Sequence, residues 1–327
     1  MQKNGSVNLR KFLSIALFLG VLVSCGSSGN STNSSESTTQ TESNSVPAEL
    51  PVVAVTYSVI GDIVSQIVGD NATVNVVIPD GQDPHDFQPS AKDIETINNA
   101  ALVVSNGLEF EEGLEEVLEN IANSGGNIFV VGDHITVRKI EDDDHGDDHH
   151  GDDNEGDHHH GGGDPHLWLS PVTMLEMLPA LTTALSEAVN ADLSAQATAL
   201  TTKLKDLDSK VASIINGLGE CNLVSGHDEM GYFADRYGCK VIGAIIPSFT
   251  TTSEATAGEL ADLKRLVEQY KVRAIFTGLG TSTDTVNQLA KELGIKAVTL
   301  STHYLDGAAN YQEFILNLTN QIAEALS

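Results

Sequence analysis

The stretch VVAVTYSVIGDIVSQIVGDNATVNVVI, residues 52–78, sets two β-branched runs on either side of an amphipathic segment. Val52 to Thr56 (VVAVT) has no polar alternation, as a strand buried on both faces requires; Ile60 to Val68 repeats its apolar residues at helical spacing; Val74 to Ile78 (VNVVI) returns to strand. Strand, helix and strand in that order predict a parallel pair with a crossover. Working outward, the alternation continues through a helix over Ser90 to Asn99, a strand at Ala101 to Ser105, a helix over Glu111 to Ile121 and a strand at Asn127 to Val131. Between Pro171 and Leu218 there is no strand signal. Pro179 breaks the pattern there, and Asp192 to Leu218 reads as one long amphipathic helix with Ala195, Leu200, Leu204, Leu207, Val211 and Ile214 on its apolar side. Alternation then resumes, with strands at Leu223 to Ser225, Lys240 to Ile246, Ala274 to Thr277 and Lys296 to Leu300. Helices are expected around Gly231 to Tyr237, Thr256 to Gln269, Thr283 to Leu293 and Asn310 to Leu326. The expected fold class is α/β: two lobes, each a parallel sheet flanked by helices, joined by a long helix. The divisions fall at 50–186 for the first lobe, 187–218 for the connecting helix and 219–327 for the second lobe.

Upstream of Leu50 the sequence reads as an address. Lys3, Arg10 and Lys11 form a basic start, and Phe12 to Val23 is an apolar run far shorter than the roughly 20 residues that span a bilayer. Leu22-Val23-Ser24-Cys25-Gly26 looks like a bacterial lipobox, so residues 1–24 are expected to be a lipoprotein signal peptide and Cys25 the lipidated residue. Residues 25–49 then form a Ser/Thr/Asn-rich tether with too little apolar content to order itself. This implies an extracytoplasmic body held to the bacterial membrane.

Acids outnumber bases 46 to 17, for a net charge of −29. That balance excludes a nucleic-acid partner, which would need clustered Lys and Arg, and suits a cation. The charge is concentrated in Glu141 to His160, EDDDHGDDHHGDDNEGDHHH, which holds ten acids and six histidines, His145, His149, His150, His158, His159 and His160. Such a loop is solvated and can sample metal ions weakly without forming one defined site. The chain has three cysteines. Cys221 and Cys239 each precede a strand, and if those strands are parallel neighbours the pair can meet disulfide geometry outside the cytoplasm. With Cys25 lipidated, no cysteine is left over.

Five histidines lie outside the loop. His134 reads as an ordinary polar residue before the strand-like ITVRKI. His85 sits in GQDPHDFQPS, His166 in GDPHLWLSP beside the single tryptophan Trp168, and His227 in VSGHDEMGYFADRYG directly after a strand. His85 and His227 follow the C-terminal ends of strands, where open α/β sheets place ligands, His166 is held in a Pro-defined turn, and neutral imidazole suits zinc. Asp83, Asp86, Asp164 and Asp228 are close enough in sequence to orient the far ring nitrogens.

These segments carry a resemblance. GQDPHDFQPSAKDIETINNAALVVSNGLEFE, DPHLWLSP and GHDEMGYFADRYG are similar to the extracytoplasmic metal-binding proteins of zinc and manganese ABC transporters, the ZnuA-like family, from about Val52 to the C-terminus. The acidic, histidine-rich segment before the second D-P-H also resembles zinc-type members. The resemblance implies a rigid linking helix, a metal site in the cleft between the lobes, and His85, His166 and His227 as ligands. A histidine rather than a glutamate at the third position favours zinc over the harder Mn²⁺. Where family members often place a carboxylate in the last lobe, this chain has Gly278 and Ser301; His303, Asp306 and a water are the candidates for the fourth position, with His303 and water weighed equally.

The expected function is capture of Zn²⁺ and its delivery to an ABC permease and, through it, an ATPase, by a monomer without enzymatic activity. Affinity is expected to fall as pH drops through the imidazole range near about 6.5. The competing readings are a manganese or iron carrier of the same fold, a three-histidine zinc hydrolase with Glu229 as base, and an adhesin or zinc-buffering surface protein. The hydrolase lacks an H-E-x-x-H motif.

Overall fold

A computed structural model of the chain describes residues 49–139 and 163–327. Residues 1–48, with Cys25 and the tether, and residues 140–162, with the six loop histidines, lie outside the described residues.

The first sheet contains β1 (Val52–Val55), β2 (Thr73–Val76), β3 (Leu102–Ser105) and β4 (Ile128–Val130), in the order β2-β1-β3-β4. The second contains β5 (Asn222–His227), β6 (Lys240–Ile246), β7 (Ala274–Thr277) and β8 (Lys296–Thr299), in the order β6-β5-β7-β8. All pairings are parallel. The two sheets therefore share one topology, a repeat that the sequence does not display. The helices are α1 (Ser58–Val68), α2 (Ala91–Asn98), α3 (Glu115–Asn123), α4 (Pro171–Val189), α5 (Ser194–Asn216), α6 (Gly231–Tyr237), α7 (Ala257–Gln269), α8 (Thr283–Leu293) and α9 (Tyr311–Leu326).

Central strands are covered on both faces, which is why they read as continuous apolar runs. In β1, Val53 and Val55 enter the main core while Ala54 faces the opposite layer with Val103, Ile97 and Leu114. In β7, Ala274 and Phe276 join the main core and Ile275 packs outward with Val224, Leu263 and Val286. The main core is continuous across both lobes, holding Val53 and Leu102 from one sheet together with Leu223 and Phe276 from the other. Helix α5 contributes to it and packs against α1, α4, α6 and α9. Polar ties reinforce the join: the Tyr311 hydroxyl donates to the Trp168 carbonyl at 2.7 Å, the Trp168 indole N–H donates to the Thr302 carbonyl at 2.6 Å, and the Tyr311 backbone N–H donates to Asp62 at 2.8 Å.

Several expectations are corrected. Pro179 does not stop a helix; it lies inside α4. Its missing N–H removes one bond to the preceding turn, but Met174, Met177, Leu178, Leu181 and Leu185 bury a stripe on both sides of it and hold the helix together. The long helix is shorter than Asp192 to Leu218, and its buried stripe is Leu200, Leu204, Leu207, Val211 and Ile215; Ile214 is only half-buried and Ala195 is exposed. The strand-like ITVRKI forms no strand over Ile135 to Lys139. Its backbone is satisfied instead by side chains, Thr136 N–H donating to Glu176 and Arg138 N–H to the Tyr232 hydroxyl. Strand β5 extends past Ser225 to His227, which pairs with Ile246. Cys221 and Cys239 precede the neighbouring strands β5 and β6 and are joined by a disulfide, with Cα atoms 4.7 Å apart.

Candidate metal centre

Four histidines converge where the C-terminal ends of the two sheets meet. His85 comes from the loop after β2, His166 from the turn preceding α4, His227 is the last residue of β5, and His303 follows β8. Each is at most 2% exposed. Each offers a ring nitrogen, and these four atoms all lie within 4.8 Å of one another; His166 Nε2 and His227 Nε2 are 3.0 Å apart. A tetrahedral ion with nitrogens at about 2.0–2.1 Å separates its ligand atoms by about 3.4 Å, so the cluster has the dimensions of a zinc site.

Several of these ring nitrogens have no hydrogen-bond partner in the protein. Both nitrogens of His85, Nδ1 of His227 and Nε2 of His303 are buried with no hydrogen bond. Asp164, fully buried, accepts from the His166 backbone N–H at 3.0 Å and lies 2.9 Å from His166 Nδ1, which fixes the tautomer and turns the Nε2 lone pair towards the cluster. Arg138 Nη1 stands 3.5 Å from the other Asp164 oxygen. The backbone of Gly231 passes so close that a Cβ there would press on Asp164 and come within 2.6 Å of the Arg138 guanidinium carbon. Thr302 Oγ1 is 2.9 Å from His303 Nδ1 and is also bonded to the Glu229 carboxylate. With that carboxylate ionised, the hydroxyl donates to it and accepts from Nδ1–H, leaving His303 Nε2 as a lone pair.

Of the four aspartates expected to orient rings, Asp164 alone bonds one. Asp83 accepts from the His85 backbone N–H and from Thr251, Asp86 is exposed, and the unpartnered nitrogens of His85 and His227 leave no ring contact for Asp83, Asp86 or Asp228. Asp306 is exposed and does not belong to the cluster. His134 is exposed and stacks on Phe129. Sequence reasoning did not place Thr302 or Glu112 near the rings. Glu112 Oε1 lies 3.9 Å from His85 Nδ1, and no local motif signals it.

Burial governs the electrostatics. Desolvation, aided by the neighbouring His166, pulls His85 down to about 3. It also holds His227 and His303 well below the usual imidazole value. Burial pushes Glu229 up to about 7. His85, His227 and His303 are thus held neutral, the state that binds metal, below the pH of about 6.5 expected for exposed imidazole. A cavity of about 640 Å³ opens beside His85, lined by Glu109, Glu112, Glu115, Pro165 and Phe249. Its acidic rim attracts cations.

Two parallel-sheet lobes with a buried imidazole cluster between them define an α/β binding protein for a small cation. Residues 53–325 match the family model described as ZnuA, zinc-uptake complex component A, periplasmic, and the chain belongs to that family. Among curated relatives, the zinc-binding protein AdcA of Streptococcus pyogenes serotype M3 is 29% identical over 272 residues, which is 80% of this chain and 52% of the relative. The high-affinity zinc uptake system protein ZnuA of Bacillus subtilis is 29% identical over 309 residues, 92% of this chain and 90% of the relative. This chain thus spans about half the length of the AdcA proteins it matches. The solved periplasmic zinc-binding protein TroA of Treponema pallidum superposes with a TM-score of 0.73 at 23% identity, over 85% of this chain and 99% of that one. A Mn-bound periplasmic metal-binding protein of Candidatus Liberibacter asiaticus gives 0.71 at 22%, over 85% and 100%. These two likenesses speak for the fold.

Proposed function

We propose that this chain captures Zn²⁺ outside the membrane and delivers it to an ABC permease, with His85, His166, His227 and His303 as the ligands. The observation that carries this is the set of four fully buried imidazoles whose ligand atoms lie within 4.8 Å. Four neutral nitrogens suit zinc better than Mn²⁺, which prefers oxygen donors. Four ring donors also leave no open position for the activated water that a zinc hydrolase needs. The family description and the names of the curated relatives support the zinc reading and, through it, a permease and ATPase partner. A lipid on Cys25 would hold the body near that permease; a relative from Streptococcus pneumoniae, 28% identical over 76% of this chain, is named a zinc-binding lipoprotein. The loop histidines His145, His149, His150, His158, His159 and His160 would raise the local metal concentration.

The test is zinc uptake at limiting zinc by cells that lack this chain, complemented with wild type or with His227→Ala. Restoration by wild type alone supports the proposal. Unimpaired uptake in the deleted strain, or rescue by manganese rather than zinc, contradicts it.

A further inference from the structure

Four neutral imidazoles supply nitrogen but no charge, so a divalent ion among them would carry its full charge into a desolvated site. Glu229 stands beside them. It is 2% exposed, and its Oε2 has no hydrogen-bond partner. That oxygen lies 3.9 Å from His227 Nε2 and 3.8 Å from His303 Nδ1. No lysine or arginine pairs with it among the described residues. The other buried acids are placed differently: Glu111 accepts from Thr56 and from the backbone N–H groups of Asn106 and Gly107, and Asp164, whose Oδ2 also lacks a hydrogen bond, has the Arg138 guanidinium 3.5 Å away. An unpaired carboxylate in such a place is costly on its own and is relieved when a cation arrives.

We propose that Glu229 is the anionic partner of the bound ion, its carboxylate offsetting the charge that the four rings leave uncompensated. Thr302 holds the carboxylate and, through the same hydroxyl, the His303 ring, so the charge and the fourth imidazole are set as one unit. Gly278 leaves room for this arrangement: a Cβ there would lie 3.0 Å from Thr302 Oγ1 and 4.0 Å from Glu229 Oε1. The inference rests on the metal reading of the histidine cluster.

The experiment is competition titration with Zn²⁺ on the purified full chain as wild type, Glu229→Gln, Glu229→Asp and His227→Ala, with the melting temperature of each measured with and without zinc. Glu229→Gln keeps shape and removes charge. It is expected to weaken zinc binding by about tenfold to a hundredfold, to shrink the zinc-induced rise in melting temperature, and to leave the metal-free melting temperature no lower than that of wild type. Glu229→Asp, which keeps the charge, is expected to bind more tightly than Glu229→Gln. Binding by Glu229→Gln within twofold of wild type, or equal losses in both Glu229 variants, overturns the inference while the histidine site stands. Wild-type affinity in His227→Ala overturns the underlying reading instead. Should Glu229→Gln not fold, zinc-loaded wild type decides: a carboxylate turned away from the ion overturns the proposal, and one facing it within about 4 Å supports it.

Discussion

Lowering the pH on metal-free protein should destabilise it well before ordinary acid denaturation begins. His85, His227 and His303 are held neutral by burial, His85 with its pKa drawn down to about 3, whereas in the unfolded chain each would take up a proton below about 6.5. The unfolded state therefore binds more protons in this window, and stability falls as pH falls through it. Each ring contributes up to about 1.4 kcal/mol per pH unit. Glu229 acts in the opposite sense: raised to about 7, it is protonated in the folded state where the unfolded chain would be ionised, which cancels one ring. Asp62, Asp83, Glu111 and Asp228, also raised by burial, subtract further at the acid end. Two net protons amount to about 3 kcal/mol per pH unit at most, or about 4 kcal/mol between about pH 6.5 and 5. That is a large share of a typical domain's 5–15 kcal/mol. Urea unfolding followed by circular dichroism at several pH values between about 7.5 and 5 measures it. Zinc-saturated protein should start from a higher midpoint yet fall at least as steeply through the same range, because the ion keeps the folded rings unprotonated while the unfolded chain still takes up its protons. A metal-free midpoint that is flat, or that rises as pH falls, would refute the burial argument.

Other perturbations have equally definite outcomes. Asp164→Asn should lower zinc affinity about tenfold to a hundredfold by releasing the His166 ring, read by chelator competition. Gly231→Ala forces a Cβ against Asp164 and Arg138 and should cost about 1–3 kcal/mol in urea unfolding while weakening zinc binding. Replacing Cys221 and Cys239 by serine removes a crosslink of sequence separation 18 and should lower stability by about 3 kcal/mol with zinc affinity retained. Leu204→Ala, in the fully buried stripe of α5, should cost about 2–5 kcal/mol and leave zinc stoichiometry unchanged.

The parallel sheets were legible because strands such as β1, β3 and β7 are buried on both faces and so carry largely apolar runs without polar alternation. The end of β5 was not, since Gly226 and His227 have no strand preference of their own and are held by pairing with β6. Pro179 misled because local propensity was overridden by burial on both sides of it. The stripe of α5 ends at Ile215 rather than Ile214 because two adjacent isoleucines fit the helical period almost equally well. At the centre, His85 and His166 were marked by their D-P-H turns and His227 by its place at a strand end, while His303 was a candidate only because it lies near the position where the resembled family places a carboxylate. What the sequence could not disclose is side-chain direction: Asp83, Asp86, Asp164 and Asp228 are equally near in sequence, yet Asp164 alone turns its carboxylate onto a ring.

The most direct test is a crystal structure of the zinc-loaded full chain, with the ion located by anomalous scattering at the zinc edge. A single strong peak about 2.0–2.1 Å from ring nitrogens of His85, His166, His227 and His303 is the result expected. A peak elsewhere, with these four rings unliganded at full zinc occupancy, would contradict it.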